Sequence, residues 1–192
     1  MAGSLIKNPG GGIAPTGGYV AGRKKFVDKV AYRLTSPGIG REVGSYAGGY
    51  RLFYQGLFLA PHTVMQAIRS AVLTAKVFEK LGYDVNPRFN ESRQDIIQAI
   101  RFGEADKLIR FIQSIQLASP VDAFALPEPW AMPGYNDDVI MAAGCFVGGA
   151  SIELSADSPI RPPYVAYVQG ALTYAHGKLA VMCALEATGV LQ

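Results

Sequence analysis

A lysine near the start of the chain has neighbours suited to covalent chemistry with an aldehyde cofactor. Lys7 follows Ser4 by three residues and precedes three consecutive glycines, Gly10 to Gly12. A lysine amine becomes nucleophilic when desolvation or a nearby cation lowers its pKa, and it then forms a Schiff base with an aldehyde. The Ser4 hydroxyl before the lysine could bind the phosphate group of such a cofactor. The glycines after the lysine let the backbone approach that phosphate closely. Lys7 is therefore the candidate anchor for an aldehyde cofactor such as pyridoxal phosphate; the alternative, which is the commoner case for a lysine near glycines, is a solvated loop lysine.

Six longer stretches extend this signal over nearly the whole chain. They are AGSLIKNPGGGIAPTGGYVAGRK (2–24), YRLTSPGIGREVG (32–44), QGLFLAPHTV (55–64), PRFNESRQDIIQAIRFG (87–103), ASPVDAFALPEPWAMPGY (118–135) and DDVIMAAGCFVGGASIELSADSPIRPPYVAYVQGALTY (137–174). Together they resemble the C-terminal half of the aluminium resistance protein or methionine gamma-lyase-like family. That family is a branch of the cystathionine-lyase-like enzymes that use pyridoxal phosphate.

The resemblance implies a fold, a reaction and a set of site residues. The fold would be α/β, of the fold-type I pyridoxal-phosphate-dependent transferase kind, and the reaction carbon–sulfur lysis of a sulfur amino acid. Lys7 would be the Schiff-base lysine and proton shuttle, and Ser4 and Asn8 would bind the cofactor with it. Related enzymes place the lysine in a Ser-x-Thr-Lys pattern, and here Ile6 replaces the second hydroxyl.

Length sets this chain apart from the family it resembles. The chain has 192 residues, whereas family members are about twice as long and carry their lysine in the middle of the cofactor domain. The upstream half would supply the phosphate loop, the stacking aromatic ring and the aspartate that pairs with the pyridine nitrogen. We therefore expect a C-terminal fragment. Its expected protein partner is a further copy of the chain in a homo-oligomer, or the missing N-terminal half. The alternative function is that of a catalytically inactive fragment or assembly module that complements a separately encoded N-terminal half.

An amino-acid substrate also needs a cation for its carboxylate, and the planar fork of arginine suits it best. Related enzymes place this arginine in an Arg-x-Ser-x-Gly pattern, but the equivalent stretch here begins with Glu153. Arg161, which lies between prolines, is the nearest substitute and is predicted to bind the substrate. The alternative is a structural ion pair of Arg161 with Asp157 or Glu153.

Composition excludes several classes of function. Hydrophobic residues make up 49% of the chain and charged residues 17%. This composition suggests an apolar surface that binds a partner. The net charge is +3 and the only basic run is 23–25, so we expect no nucleic-acid partner. Neither His62 nor His176 has a cysteine or carboxylate at nucleophile–base spacing, so neither a catalytic triad nor a metal site is predicted. Without a long apolar stretch or a signal peptide, the chain is expected to be cytoplasmic, with no membrane partner.

The elements that position these residues divide at Gly82. Residues 1–82 would be the remnant of the large cofactor domain with its connecting helix, and residues 83–192 a small C-terminal α+β domain. In the first part, the patterns predict a short buried strand at 19–21, a helix at 24–34, a loop at 35–50 and a long helix from Pro61 to Leu81.

In the second part, strands and helices alternate. The patterns predict strands at 83–88, 96–102 and 121–126, with a helix at 104–117 between the second and third. Strands at 139–147 and 151–154 would form a hairpin through Gly148 and Gly149. A final helix is predicted from Tyr164 to Glu186.

Overall fold

The computed structural model describes residues 1–143 and 152–189, which form two antiparallel sheets and four α-helices. In chain order the elements are β1 (Ala2–Ser4), β2 (Gly18–Val20), α1 (Lys24–Leu34), α2 (Arg51–Lys80), β3 (Asp84–Asn86), β4 (Ile97–Arg101), α3 (Ala105–Leu117), β5 (Val139–Ala142), β6 (Ser155–Pro159), β7 (Val165–Gln169) and α4 (Tyr174–Ala187). The strands β1 and β2 form a two-stranded sheet. The other five strands form a second sheet in the order β3-β4-β7-β6-β5.

One face of the five-stranded sheet is covered by helices and the other is open. Along β4, Gln98 and Ile100 are fully buried, whereas Ile97 and Arg101 are exposed. Alternate residues of a strand point to opposite faces, so this pattern marks a sheet with a single covered face. Helices α2 and α3 pack on the covered face, and α4 packs on both of these helices.

Aromatic rings form the centre of the core between the helices and the sheet. The ring centroids of Phe78 in α2, Phe102 after β4 and Phe111 in α3 lie 5.0 to 5.9 Å apart. Tyr83 joins the group through Phe78 at 5.6 Å. Each such pair adds about 0.5–1.5 kcal/mol beyond the burial of its area. The cluster therefore ties the end of α2 to the sheet and to α3.

The longest helix, α2, has 30 residues and carries Pro61 in its interior. The predicted start at Pro61 is wrong, because the helix begins at Arg51. Proline is favoured in a first helical turn, but here the turns before it are helical as well. The predicted end is confirmed: the helix stops at Lys80, and Gly82 adopts the left-handed conformation with φ of +86°.

The first half of α2 exposes a stripe of large apolar side chains. Tyr54, Leu57, Phe58 and Met65 are exposed, and we call this set the α2 apolar surface. The opposite side of the same turns is buried. A helix that is apolar on its solvent side as well as its core side is characteristic of an element with a second partner.

Helix α1 has the predicted bounds, Lys24–Leu34, but not the predicted packing. Its apolar residues Phe26 and Leu34 are exposed, and no residue of the helix is buried. The following segment, predicted as a loop, contains a short 3₁₀ helix at Gly40–Val43. Thus the periodicity identified the helix, while the described part of the chain leaves its apolar face uncovered.

Several elements after Gly82 agree with the prediction. β3 and β4 lie within the predicted strands 83–88 and 96–102, and α3 begins one residue after its predicted start. β5 accounts for the first four residues of the predicted strand 139–147. The proposed turn at Gly148 and Gly149 lies outside the described residues. Residues 152–154 are not a strand, and the next strand begins at Ser155.

Two predictions in this region are wrong. Residues 121–126 form no strand; the segment is irregular, and Phe124 within it is 88% exposed. The final helix begins at Tyr174 rather than Tyr164, because residues 165–169 form β7 in the middle of the sheet. Short apolar runs suit either a strand or a helix. The start of α4 is marked by Thr173, whose hydroxyl accepts the His176 N–H at 3.3 Å.

No helix in the described ranges is both long and apolar enough to cross a membrane.

Candidate active site

Lys7 lies in a loop that connects the two strands of the small sheet. The strands pair with Ala2 opposite Val20 and Ser4 opposite Gly18. The predicted strand at 19–21 is thus confirmed as β2, although its residues are exposed rather than buried. At the start of the loop, the Leu5 N–H donates to the carbonyl of Gly17 at 2.9 Å. The hairpin therefore closes the loop on both sides of the lysine.

A short 3₁₀ helix over Asn8–Gly10 follows the lysine directly. The Gly10 N–H donates to the Lys7 carbonyl at 2.9 Å, which closes this turn. Gly11 and Gly12 come next with φ of +59° and +83°, a conformation that side chains disfavour. Backbone bonds and glycine conformations thus fix the main chain of Lys7 and leave its side chain free to extend.

Two of the glycines after Lys7, Gly10 and Gly11, lie against the backbone of α2. A β-carbon on Gly11 would lie 2.4 Å from the carbonyl oxygen of Gly56 in α2, and one on Gly56 would lie 2.2 Å from that of Gly10. The Thr63 hydroxyl donates to the Gly11 carbonyl at 3.3 Å. The sequence interpretation had assigned the glycines to a phosphate. In the fold, Gly10 and Gly11 seat the lysine loop on α2.

The exposed side chain of Lys7 lies in an open cleft with a volume of about 460 Å³. One side, the lysine wall, consists of Gly3, Ser4, Lys7, Asn8, Pro9 and Tyr19. The other side, the sheet wall, consists of Asp95, Ile96, Ile97 and Gln169. All three predicted cofactor-binding residues, Ser4, Lys7 and Asn8, therefore line the same cleft. Within the lysine wall, the Ser4 hydroxyl oxygen accepts the Ile6 N–H at 3.3 Å.

The sheet wall is assembled by strand pairing. Ile97, the first residue of β4, pairs with Gln169, the last residue of β7. Asp95 lies two residues before the pair, and its Oδ1 accepts the Ile97 N–H at 2.9 Å. Sequence reasoning missed Asp95 and Gln169, because only the register of two distant strands brings them together. The one local signal was Asp95, an aspartate at the start of a strand in a position to accept a backbone bond.

Arg93 lies beside the sheet wall and donates to the backbone of one of its residues. Its guanidinium donates to the Pro87 carbonyl at 3.5 Å, to the Ile97 carbonyl at 3.4 Å and to the side chain of Gln98. Burial lowers the pKa of Arg93, and the carboxylates of Asp95 and Glu91 oppose that shift. An arginine with these bonds holds β4 in place. It forms no ion pair with Asp95 within 4.0 Å.

Arg161, the predicted substrate-binding residue, lies elsewhere. It follows β6 in the turn to β7, at the end of the sheet opposite Ile97 and Gln169. Its guanidinium donates to Asp137 at 3.2 Å, a partner that the sequence interpretation had not named. The substrate-binding role of Arg161 stays a prediction, and the residue is not part of either wall of the Lys7 cleft.

Comparison with solved structures identifies the class of fold. The chain is similar to a candidate cystathionine beta-lyase involved in aluminum resistance from Clostridium acetobutylicum, with a TM-score of 0.92 and 56% identity over 97% of this chain. A carbon-sulfur lyase involved in aluminum resistance from Clostridium novyi NT gives a TM-score of 0.90 and 55% identity over 98% of this chain. The described helices and two antiparallel sheets are thus those of cystathionine beta-lyase-like α/β proteins.

The family follows from the sequence as a whole. A profile described as methionine gamma-lyase matches residues 1–189, and the chain belongs to this family. A Bacillus subtilis relative, the uncharacterized protein YnbB, is 58% identical over 186 residues, or 97% of this chain. The family predicted from the sequence is confirmed.

The chain spans less than half of these longer proteins. It covers 44% of the Bacillus subtilis relative and 43% and 44% of the two clostridial structures. A partial length was predicted from the position of the lysine. The activity and substrates of the longer proteins are therefore only proposed for this chain.

Proposed function

We propose that this chain is the C-terminal portion of a cytoplasmic, fold-type I carbon–sulfur lyase that uses pyridoxal phosphate and acts on a sulfur amino acid. The observation that carries this proposal is the shared cleft of Ser4, Lys7 and Asn8. These three residues were predicted from the sequence to bind the cofactor, and all three line the same open cleft. The names of the solved relatives, cystathionine beta-lyase and carbon-sulfur lyase, support the reaction class.

The residues of the lysine wall suit this cofactor in part. Lys7 supplies an amine for its aldehyde, and the Ser4 hydroxyl can still donate its proton to a phosphate while accepting the Ile6 N–H. The Asn8 amide offers a further donor. Ile6 occupies the place of a second hydroxyl, so that phosphate contact is missing or is supplied by another residue. When bound, the cofactor withdraws electrons from the α-carbon of an amino acid.

Lys7 would also move protons in the reaction. Its amine, once free, would accept at Nζ the proton of the substrate α-carbon, which is general acid–base catalysis. As the carbon–sulfur bond breaks and the sulfur leaves as a thiol, the same amine would deliver protons to the departing sulfur and to the β- or γ-carbon. The backbone bonds around Lys7 keep its main chain in place during these transfers. Its exposed side chain has the freedom that such a movement needs.

A second candidate function is supported by the α2 apolar surface. In this alternative the chain is an inactive assembly module that complements a separately encoded N-terminal half. Phe58 is 84% exposed and Tyr54 71% exposed, values that are unusual for neighbouring aromatic side chains on one helix. The longer relatives contain more than half of their length outside the matched region. That region is a partner of sufficient size to cover the surface.

Borohydride trapping distinguishes the two candidates. The chain is incubated with pyridoxal phosphate, reduced with borohydride and mapped by mass spectrometry, alone and with the N-terminal part of the Bacillus subtilis relative. Labelling that favours Lys7 and is absent from Lys7→Ala supports the lyase, and the exposed Lys25→Ala variant serves as the matched control. Formation of a complex without any preference for Lys7 supports the inactive module. Equal labelling of Lys7 and Lys25 in both samples would contradict the lyase proposal.

A further inference from the structure

An open groove with two cations lies beside the second half of α2. It has a volume of about 390 Å³. The charged residues among its described lining are Arg69 and Lys76, both from α2, and neither takes part in an ion pair within residues 1–143 and 152–189. We call the groove the basic groove; its apolar lining consists of Ile68, Val72, Leu73, Phe89 and Tyr174.

Each cation of the basic groove lies on the face of an aromatic ring. The guanidinium carbon of Arg69 is 4.6 Å from the centroid of the Tyr174 ring, and Nζ of Lys76 is 3.3 Å from that of Phe89. Both ring residues are held in turn: the Tyr174 N–H donates to the side-chain oxygen of Gln66 at 2.8 Å, and Phe89 packs against the hydrophobic core. A ring face orients a cation but does not accept its N–H groups as a carboxylate would. The groove therefore presents two oriented cations to a further acceptor.

The basic groove continues the α2 apolar surface along the same side of the helix. Tyr54, Phe58, Met65, Arg69 and Lys76 follow one another at intervals of four or seven residues. Residues at these intervals lie one above the other on a helix. From residue 54 to residue 76 the helix rises about 33 Å. One long surface therefore begins with exposed apolar side chains and ends with two cations above an apolar lining.

A partner that covers this surface has to supply anions at its basic end. Removal of a charged group from water is unfavourable unless an opposite charge pairs with it. Arg69 and Lys76 are seven residues apart, or about 10 Å along the helix axis. Two carboxylates separated by a similar distance, which is two turns of a partner helix, would reach both cations. The length of the whole surface suits a polypeptide segment better than a small anion.

We propose that the α2 apolar surface and the basic groove together bind one segment of the N-terminal part, and that this segment is apolar at one end and carries aspartate or glutamate side chains at the other. The inference rests on the complementation described under the proposed function, and the longer relatives have more than half of their length outside the matched region. Phe58 contacts the apolar end, and Arg69 and Lys76 pair with the carboxylates. The two chemically different ends fix the direction in which the segment lies along α2.

Cross-linking and calorimetry test the inference on the complex with the N-terminal part of the Bacillus subtilis relative. A carbodiimide joins an amine to a carboxylate that touches it, and mass spectrometry should find Lys76 linked to an aspartate or glutamate of the N-terminal part. The exposed Lys178 of α4 should remain unlinked. In isothermal titration calorimetry, Arg69→Gln combined with Lys76→Gln should weaken binding at least about tenfold, since both ion pairs are covered by the interface. The affinity of this double variant should also depend less on salt than that of the wild type.

A matched pair of substitutions makes the test specific. Arg110→Gln combined with Lys178→Gln removes the same two charges from exposed positions in α3 and α4, and it should leave the affinity and its salt dependence unchanged. A complex that binds the groove variant as tightly as the wild type, or cross-links of Lys76 to a second copy of this chain instead, would overturn the inference and leave complementation itself intact. Failure of the wild-type chain to form any complex would overturn both. The borohydride experiment on Lys7 is judged separately, because neither cation of the groove lines the Lys7 cleft.

Discussion

Gly56 lies against the carbonyl oxygen of Gly10 so closely that a β-carbon on Gly56 would be 2.2 Å from it. The contact joins the interior of α2 to the turn that follows Lys7. Real β-carbons do not approach an oxygen so closely, so the two main chains can meet here only because residue 56 is glycine; Gly11 is restricted in the same way by the Gly56 carbonyl oxygen, 2.4 Å from its β-carbon position. The position of the lysine thus depends on a residue that lies far from it in the sequence.

Replacing Gly56 with alanine should therefore destabilise the protein. In an ordinary helix this change is favourable by about 1 kcal/mol, but here we expect a loss of about 1–3 kcal/mol because the new methyl group displaces the lysine loop. Urea unfolding measures the loss. Gly22→Ala is the control, since a β-carbon at Gly22 meets nothing within 4 Å. A Gly56→Ala variant more stable than the wild type would contradict the close approach.

The aromatic cluster predicts a large effect at Phe111. This side chain is 1% exposed and packs on Phe78 and Phe102. Phe111→Ala should lower the free energy of unfolding by about 3–5 kcal/mol, as truncation of a buried phenylalanine leaves a cavity. Phe124→Ala, at a position 88% exposed, should change it by less than about 0.5 kcal/mol. Comparable losses in the two variants would mean that the core lies elsewhere.

The α2 apolar surface should control association. Tyr54→Ser combined with Phe58→Ser is expected to weaken binding of the N-terminal part of the Bacillus subtilis relative at least tenfold, since exposed aromatic residues dominate interface energies. Isothermal titration calorimetry gives the affinity, and sedimentation shows whether self-association falls as well. Phe124→Ser provides an exposed aromatic control outside α2. Unchanged affinity in the double variant would place the partner on another surface.

The stability of the protein should depend on pH through Asp157. Burial raises the pKa of this carboxyl above its ordinary value of 3.8. The folded protein then keeps a proton that the unfolded chain has released, so stability falls as pH rises from the ordinary value through the raised one. Asp157→Asn should abolish this fall and be more stable relative to the wild type at neutral pH than at acid pH. Thermal unfolding across the pH range measures it, with Asp84→Asn as control; parallel curves for Asp157→Asn and the wild type would refute the assignment.

Helices with one buried face were predictable from the sequence. α3 matches its pattern because Leu108, Ile112 and Ile115 all face the core. The first half of α2 escaped notice because its apolar side chains lie on both sides and Pro61 suggested a later start. The segment of β7 was assigned to a helix because its apolar residues directly precede α4, and the two segments together have the pattern of one long helix. Only the pairing of β7 with β4 and β6 distinguishes it as a strand.

The candidate site was predictable only where it is local. Ser4, Lys7 and Asn8 lie within one short segment, so their types and spacing were sufficient to place them together. Asp95 and Gln169 join them through the pairing of Ile97 with Gln169, which no local pattern encodes. Arg161 was chosen for its proline neighbours, and these neighbours place it in a turn at the other end of the same strands.

Both walls of the cleft rest on one helix. The lysine loop is seated at Gly56 and Thr63, and Ile96 of the sheet wall packs with Ala67 one turn further along. A helix rises about 1.5 Å per residue, so the contacts at residues 56 and 67 are roughly 16 Å apart along the axis of α2. The fold therefore sets the positions of the two walls before a ligand binds. Because the walls are already ordered, little of the binding free energy is lost in ordering them.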